Sequence, residues 1–151
     1  YVAAGYIRNY IWDHLHGYDG RGTHNDIDLV YYDPAHTDEA RDLELEQQLI
    51  RITGNPKWSV KNQARMHTAN GNDPYTSTWD ALSYWPEVVT AIGAALTDND
   101  DIELCAPYGV EDLFSMTVRR CPLFTDEAYY QKRIRTKEWR KQWPLLTIIT
   151  D

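Results

Sequence analysis

The sequence predicts a mixed α/β (α+β) fold, a mixed sheet flanked by helices. Three observations predict it. Short β-branched or aromatic runs alternate with segments whose apolar residues recur at helical spacing in the first half of the chain. Two apolar runs, 88–96 and 102–106, flank Asp98-Asn99-Asp100-Asp101 and read as a hairpin. A closing segment after Thr125 reads as a helix, so strands and helices mix along the whole chain.

Taken in order, residues 1–4 are a short apolar run ended by Gly5, a strand. In 6–16, Ile7, Ile11 and Leu15 recur at helical spacing and Gly17 supplies the stop. Residues 18–25 are a Gly-, Asp- and Asn-rich loop, and 27–32 are a strand ended by Asp33-Pro34. Thr37 is the expected cap of a second helix, with Asp38 and Glu39 in its first turn and Leu45, Leu49 and Ile52 as its buried stripe. Gly54-Asn55-Pro56 stops it. A strand at 58–61, a loop at 69–74 and a short helix at 78–84 follow, the last stopped before Pro86. After the hairpin come a helical segment at 110–116 and a final helix from Asp126 to about Gln142, capped by Thr125 and closed by Pro144.

The length of 151 residues, with 42% hydrophobic and 25% charged, is that of one domain, residues 1–151, with a core that needs neither disulfide nor structural metal. This composition excludes a disordered chain and a coiled coil. No apolar run approaches the ~20 residues of a membrane-spanning helix, so no membrane partner is expected. Because the chain opens directly into an apolar strand, a natural N-terminal segment is expected to be missing from it. Lys and Arg number 15 against 23 Asp and Glu, a net charge of −8. Phosphate contacts need cations, so the net charge does not support nucleic acid as a partner. The charge is uneven, however: 19–46 is acidic, and basic residues cluster in 119–141. Cys105 and Cys121 make no CxxC or zinc spacing, which fits a reducing cytoplasmic location.

The sharpest chemical signal is Asn25-Asp26-Ile27-Asp28. Side chains alternate along a strand, so Asp26 and Asp28 project on one face. Two carboxylates there repel unless solvated or bridged, and Mg²⁺ takes one or two carboxylates plus phosphate oxygens. Read alone, the pair also fits a solvated strand edge. Upstream, Gly5 joins a strand to a helix carrying Arg8 and Asn9 in its first turn. A glycine permits close ligand approach, the free N–H groups of a helix start favour phosphate, and Arg8 adds a fork for an oxygen. Pairing of Arg8 with Asp13 or Asp26 is the plain alternative.

Ala4-Gly5-Tyr6-Ile7-Arg8-Asn9 followed by Asn25-Asp26-Ile27-Asp28 resembles the opening of the DNA polymerase β nucleotidyltransferase superfamily. It is especially similar to the tRNA CCA-adding branch, with its Gly-Gly-x-Val-Arg-Asp and Asp-x-Asp. Nearly the whole chain resembles a small bacterial family described as nucleotidyltransferase-like. Its hallmarks here are Arg8-Asn9-x-x-Trp12-Asp13-x-Leu15-His16-Gly17, the Asp26 motif, Val60-Lys61-Asn62-Gln63-Ala64-Arg65-Met66-His67, Trp85-Pro86-Glu87 and Ala106-Pro107-Tyr108-Gly109.

The resemblance implies a polymerase-β-like mixed sheet and metal-dependent nucleotidyl transfer from NTP to an unknown hydroxyl-bearing acceptor. It implies Asp26 and Asp28 as catalytic ligands of Mg²⁺, with Mn²⁺ as substitute. Gly5 would face the triphosphate. Arg8, Asn9, Lys61, Asn62 and Arg65 are the remaining nucleotide or phosphate candidates. The sequence departs from the pattern at Ala4, where the pair is Gly-Gly or Gly-Ser. It also departs at 58–63, where the superfamily's third carboxylate is missing. Asn62 as a neutral ligand, or Glu87 or Asp112 from elsewhere, are the stand-ins. That gap also supports a second reading, a non-catalytic nucleotide-binding or regulatory relative. A phosphohydrolase using the same Asp pair is weaker, lacking a nucleophile motif.

The other polar and aromatic residues have plain readings. His14 and His16 lie two apart and share no helical face, while His24 borders the Asp motif. Lys61, Asn62, Arg65 and His67 also fit a strand leaving the core through a solvated loop. Trp12, Trp58, Trp79 and Trp85 read as packing residues. Tyr129, Tyr130, Trp139 and Trp143 on the basic final helix read as packing in preference to a polyanion surface.

Overall fold

The computed structural model describes residues 1–19 and 26–150. Five strands, β1 (Val2–Ala3), β2 (Ile27–Tyr31), β3 (Trp58–Asn62), β4 (Gly93–Leu96) and β5 (Ile102–Cys105), form one sheet in the order β3-β2-β1-β4-β5. The shortest strand is therefore central. β1 runs antiparallel to both neighbours, with Val2 opposite Leu29 and Ala94, and Ala3 opposite Asp28 and Gly93. β2 and β3 are parallel, with Asp28 opposite Ser59 and Val30 opposite Lys61. β4 and β5 form the expected antiparallel hairpin. The sheet is mixed, as the sequence predicts. Gly93 is needed where it stands: a Cβ there would lie 2.9 Å from the Tyr1 Cβ.

Helix α1 (Gly5–Leu15) follows β1 with one residue between them, and α2 (Glu39–Thr53) connects β2 to β3. The cap of α2 is Asp38, not Thr37: its carboxylate accepts from the Ala40 N–H. The expected stripe is also corrected. Ile52 is 80% exposed, and Leu45 and Leu49 are only half-buried. α2 lies against β3, the edge strand, so only a narrow side of it is covered. Buried Asp42 anchors it instead, accepting from the Tyr31 hydroxyl (2.6 Å), the Asn62 N–H (3.1 Å) and Arg65 (2.6 Å).

Helix α3 (Gln63–Asn70) starts directly off β3, capped by Asn62, and α4 (Thr78–Leu82) is capped by Ser77. The predicted strand at 88–96 begins only at Gly93. Residues 88–92 are a buried turn, in which the Ala91 N–H donates to the Glu87 carbonyl (3.1 Å). An apolar run buried on all sides carries no alternation to distinguish it from a strand.

Beyond α5 (Glu111–Phe114), β6 (Thr117–Val118) and β7 (Thr147–Ile148) form a small parallel pair that the sequence does not announce. The final helix is two: α6 (Glu127–Lys137) and α7 (Trp139–Gln142), broken at Glu138, whose φ is 48°. The cap of α6 is Asp126, which accepts from the Tyr129 N–H, and not Thr125.

The main core joins α1 to this closing region. Trp12 meets Trp139 and Trp143 edge-on, at 5.9 and 5.2 Å, among Val89, Ile92, Leu113 and Tyr130. Packing is therefore the role of Tyr130, Trp139 and Trp143, whereas Tyr129 is 47% exposed. Trp79, expected to pack, is 52% exposed. Cys105 and Cys121 are buried free thiols in a second cluster with Leu82, Val88 and Ala91. Among the described residues, no helix is long and apolar enough to cross a membrane.

Candidate functional site

Between β1 and α1 the backbone turns at Ala4, with φ 58° and ψ −133°. The first N–H bonded inside the helix is that of Arg8, which donates to the Ala4 carbonyl (3.1 Å). Among the described residues no side chain caps this end, and no acidic residue stands in its first turn. The opening amides of α1 are thus left for an external acceptor.

Arg8 lies under this turn, only 7% exposed. Its Nε donates to Asn9 Oδ1 (3.1 Å), and its guanidinium lies over the Trp12 and Trp139 rings, at 5.2 and 4.8 Å. Its Nη1 has no hydrogen-bond partner among the described residues. A Cβ on Gly5 would come within 3.2 Å of Arg8 Nη2 and 3.9 Å of Asn9 Nδ2, so Gly5, Arg8 and Asn9 sit together. Burial lowers the Arg8 pKa to about 10, against the upward pull of Glu87 and Asp28. It remains a cation at neutral pH.

Asp28 stands in β2 beside this turn, opposite Ala3. Its carboxyl lies above the usual range, first because it is partly desolvated and then because Asp26 is close; Arg8 and Lys61 pull it back. The structure therefore brings Asp26, Arg8 and Lys61 within electrostatic reach of Asp28. Asp26 itself is exposed. A divalent cation is the natural relief for two neighbouring carboxylates of which one is desolvated, so the donor set fits such an ion. Asp28, Val30, Ser59 and Lys61 share one face of the sheet and line a cleft of about 570 Å³. Ala4, Gln63 and Thr90 also line it, as do Phe124, Tyr129 and Arg133. The opposite face of β2 and β3 is occupied by α2 through Tyr31, Asn62 and Asp42.

Of the candidates, only Asp28 and Lys61 line the cleft; Gly5, Arg8, Asn9 and Asp26 are not among its lining residues, and Asn62 and Arg65 are engaged elsewhere. Asn62 is fully buried, and its amide is used entirely by the fold. Its Oδ1 accepts from the N–H groups of Asp33 and Ala64 (3.0 Å each), and its Nδ2 donates to the carbonyls of Asp33 and His36 (2.9 Å each). Arg65 pairs with Asp42 at 2.6 Å. The alternation of the strand sends Lys61 to the cleft and Asn62 to the other face.

The stand-ins for a third carboxylate are engaged too. Glu87, at 0% exposure, is ion-paired with Arg133 and accepts from the Thr90 hydroxyl (2.5 Å). Asp112 accepts from Arg119 Nε and Nη2, at 2.6 and 3.2 Å. No group of three or more His, Cys, Asp or Glu suited to a metal occurs among the described residues. Arg8 pairs with neither suggested carboxylate: Asp13 accepts from Trp143 Nε1 (2.7 Å). His14 is exposed, and His16 receives the Leu145 N–H at 3.1 Å. His24 and Asn25 lie outside the described residues.

Sequence reasoning did not find Thr90 and Arg133 in the cleft. Their one signal was the Trp85-Pro86-Glu87 hallmark, since a carboxylate this buried needs a cation and a hydroxyl around it.

A mixed sheet that places a strand–glycine–helix turn beside an Asp-x-Asp strand defines the polymerase-β-like nucleotidyltransferase class of fold. The chain belongs to the nucleotidyltransferase family whose model matches residues 1–148. It is also similar to a solved NMR structure described as revealing a CCA-adding enzyme head domain. The TM-score is 0.86 at 35% identity, covering 100% of this chain and 81% of that one. No curated protein matches the chain.

Proposed function

We propose that the chain transfers a nucleoside monophosphate from an NTP to a hydroxyl-bearing acceptor, with Mg²⁺, or Mn²⁺ in its place, held by Asp26 and Asp28. The observation that carries this reading is a desolvated carboxylate, Asp28, facing a cleft beside a second carboxylate and an uncapped helix start. When bound, the metal would neutralise triphosphate oxygens and polarise the phosphorus under attack. The amides at the start of α1 would hold phosphate, with Gly5 allowing close approach. Arg8, whose Nη1 has no hydrogen-bond partner among the described residues, and Lys61 would balance the negative charge. Asn9 orients Arg8 through its Nε bond. Positioning and preorganised charge would then do most of the catalytic work, as in other phosphoryl-transfer sites.

The experiment is calorimetry with each NTP, in Mg²⁺ or in EDTA, on the wild type and on Asp26→Asn/Asp28→Asn. Metal-dependent binding that disappears in the double variant is expected. A folded wild type that binds no NTP in either condition refutes the site.

A specific observation favours a second reading, a nucleotide-binding relative without turnover. Asn62, Glu87 and Asp112 are all engaged elsewhere, so none of the proposed stand-ins activates an acceptor hydroxyl. NTP binding with no pyrophosphate release, over a panel of sugar, nucleoside and RNA 3′-hydroxyl acceptors, would select it.

A further inference from the structure

We propose that the nucleobase end of the ligand is seated on α6, against the ring of Tyr129, with Phe124 beside it and Arg133 one helical turn along. This rests on the nucleotide reading of the other end of the cleft. Both ends belong to one cavity of about 570 Å³, which Ala4, Asp28 and Lys61 line together with Phe124, Tyr129 and Arg133. Its chemistry is polarised in its aromatic content. The sheet side carries the Asp28 carboxylate, the Lys61 ammonium and Ala4 at the helix start. The α6 side carries the Phe124 and Tyr129 rings, with Asp126 and Arg133 among them. A nucleotide has the same polarity, with a charged phosphate tail and an apolar π-face. With phosphate at the helix start, ribose and base must continue into the remaining cavity.

Tyr129 is the residue on α6 whose exposure needs explaining. Its neighbour Tyr130 is fully buried, and the aromatics of α7 and its end, Trp139 and Trp143, are core. Tyr129 stays 47% exposed. Its ring lies 5.7 Å from that of Phe124 at 58°, so the two make a corner and do not stack on each other. That geometry leaves ring surface for a third planar group.

Arg133 follows Tyr129 by four residues and shares its helix face. Its Nε is bound by buried Glu87, whose other oxygen is fixed by Thr90. The guanidinium also lies 5.8 Å from the Trp139 ring, its two terminal amino groups have no hydrogen-bond partner among the described residues, and the residue lines the cleft. Glu87 is thereby a positioning residue. It fixes the guanidinium so that donor-only groups meet the oxygens and ring nitrogens of a base or ribose. The base seat thus comes from α6 of this chain.

The test is calorimetry on the full chain with the four Mg-NTPs and with Mg-tripolyphosphate, which has the tail and no base. On wild type, the preferred NTP is expected to bind about 5- to 150-fold more tightly than tripolyphosphate, the range that stacking on one aromatic ring provides. Tyr129→Ala should remove that advantage and leave tripolyphosphate affinity unchanged, and Tyr129→Phe should keep it. Equal wild-type affinities for NTP and tripolyphosphate overturn the seat without recourse to any variant. So does a Tyr129→Ala protein that keeps full NTP affinity, or one that loses both ligands equally. If wild type binds neither ligand, the nucleotide reading itself falls and this seat with it; if it binds both alike, only the seat falls.

Discussion

Ala4→Gly should stabilise the protein, against the usual direction of a change to glycine. Ala4 holds φ 58° and ψ −133°, a region an L-residue adopts only when its surroundings force it. Such strain costs about 1–3 kcal/mol, and glycine escapes it. Against this, glycine makes the unfolded chain more disordered by about 0.4–1 kcal/mol. Losing a half-buried methyl costs about 0.4 kcal/mol, half the value of a fully buried one. With central values of about 2, 0.7 and 0.4, the net is a gain of about 1 kcal/mol. In a chain of this length that raises Tm by about 2–4 °C. Urea unfolding should show a higher midpoint with an unchanged slope. A variant less stable than wild type would refute the assignment of strain to Ala4. The same substitution restores the Gly-Gly pair of the CCA-adding pattern, so NTP affinity measured alongside shows whether the alanine affects phosphate approach.

The carboxyl of Asp28 lies above its ordinary value in the folded protein, so ionisation opposes folding. The penalty is absent below the unfolded pKa, grows as pH rises through the folded value, and is complete above it. Asp28→Asn in EDTA should therefore be more stable than wild type at neutral pH, and the difference should close in acid. A wild type that is equally stable at pH 7 contradicts this. Asn62→Ala should lose about 2–4 kcal/mol, a helix cap plus buried partners left unsatisfied, while the folded fraction keeps its NTP affinity; selective loss of affinity with stability intact would return Asn62 to the site. Glu87→Ala should cost about 3–5 kcal/mol by stranding Arg133, and Glu87→Ala/Arg133→Met should recover part of it in thermal melts. No recovery in the double variant would mean that the stranded cation is not the cause.

The strand–glycine–helix opening, the Asp26-Ile27-Asp28 strand and the 93–105 hairpin could be read from sequence because each depends on local chemistry: a stop at Gly5, alternation in β2, polar turn residues between apolar runs. What could not be read depends on distant partners. Asn62 looked like a ligand beside Lys61, yet its amide is consumed by Asp33 and His36, nearly thirty residues away in sequence. Nothing local marks Asp42 among the acids of 38–46, and it anchors α2 through Tyr31, Asn62 and Arg65. The break at Glu138 follows no glycine or proline; the packing of Trp139 and Trp143 onto Trp12 accompanies it. Arg133 was one cation among several on a basic helix, and only Glu87, 46 residues earlier, distinguishes it.

The central place of β1 also bears on how the chain is made. Residues 2 and 3 emerge before both of their partners, and one of the two, β4, is some ninety residues further along. At ribosomal speeds of about 5–20 residues per second, that is a wait of roughly 5–18 seconds. During that interval Asp28 and its strand can pair with β1 while the other side of β1 stands unpaired, an adhesive edge. A nascent chain arrested before Gly93 would therefore carry the acidic half of the site on a sheet that is open at its middle. Such a fragment is a substrate for chaperones and a hazard for aggregation, and folding is secured only when the hairpin arrives.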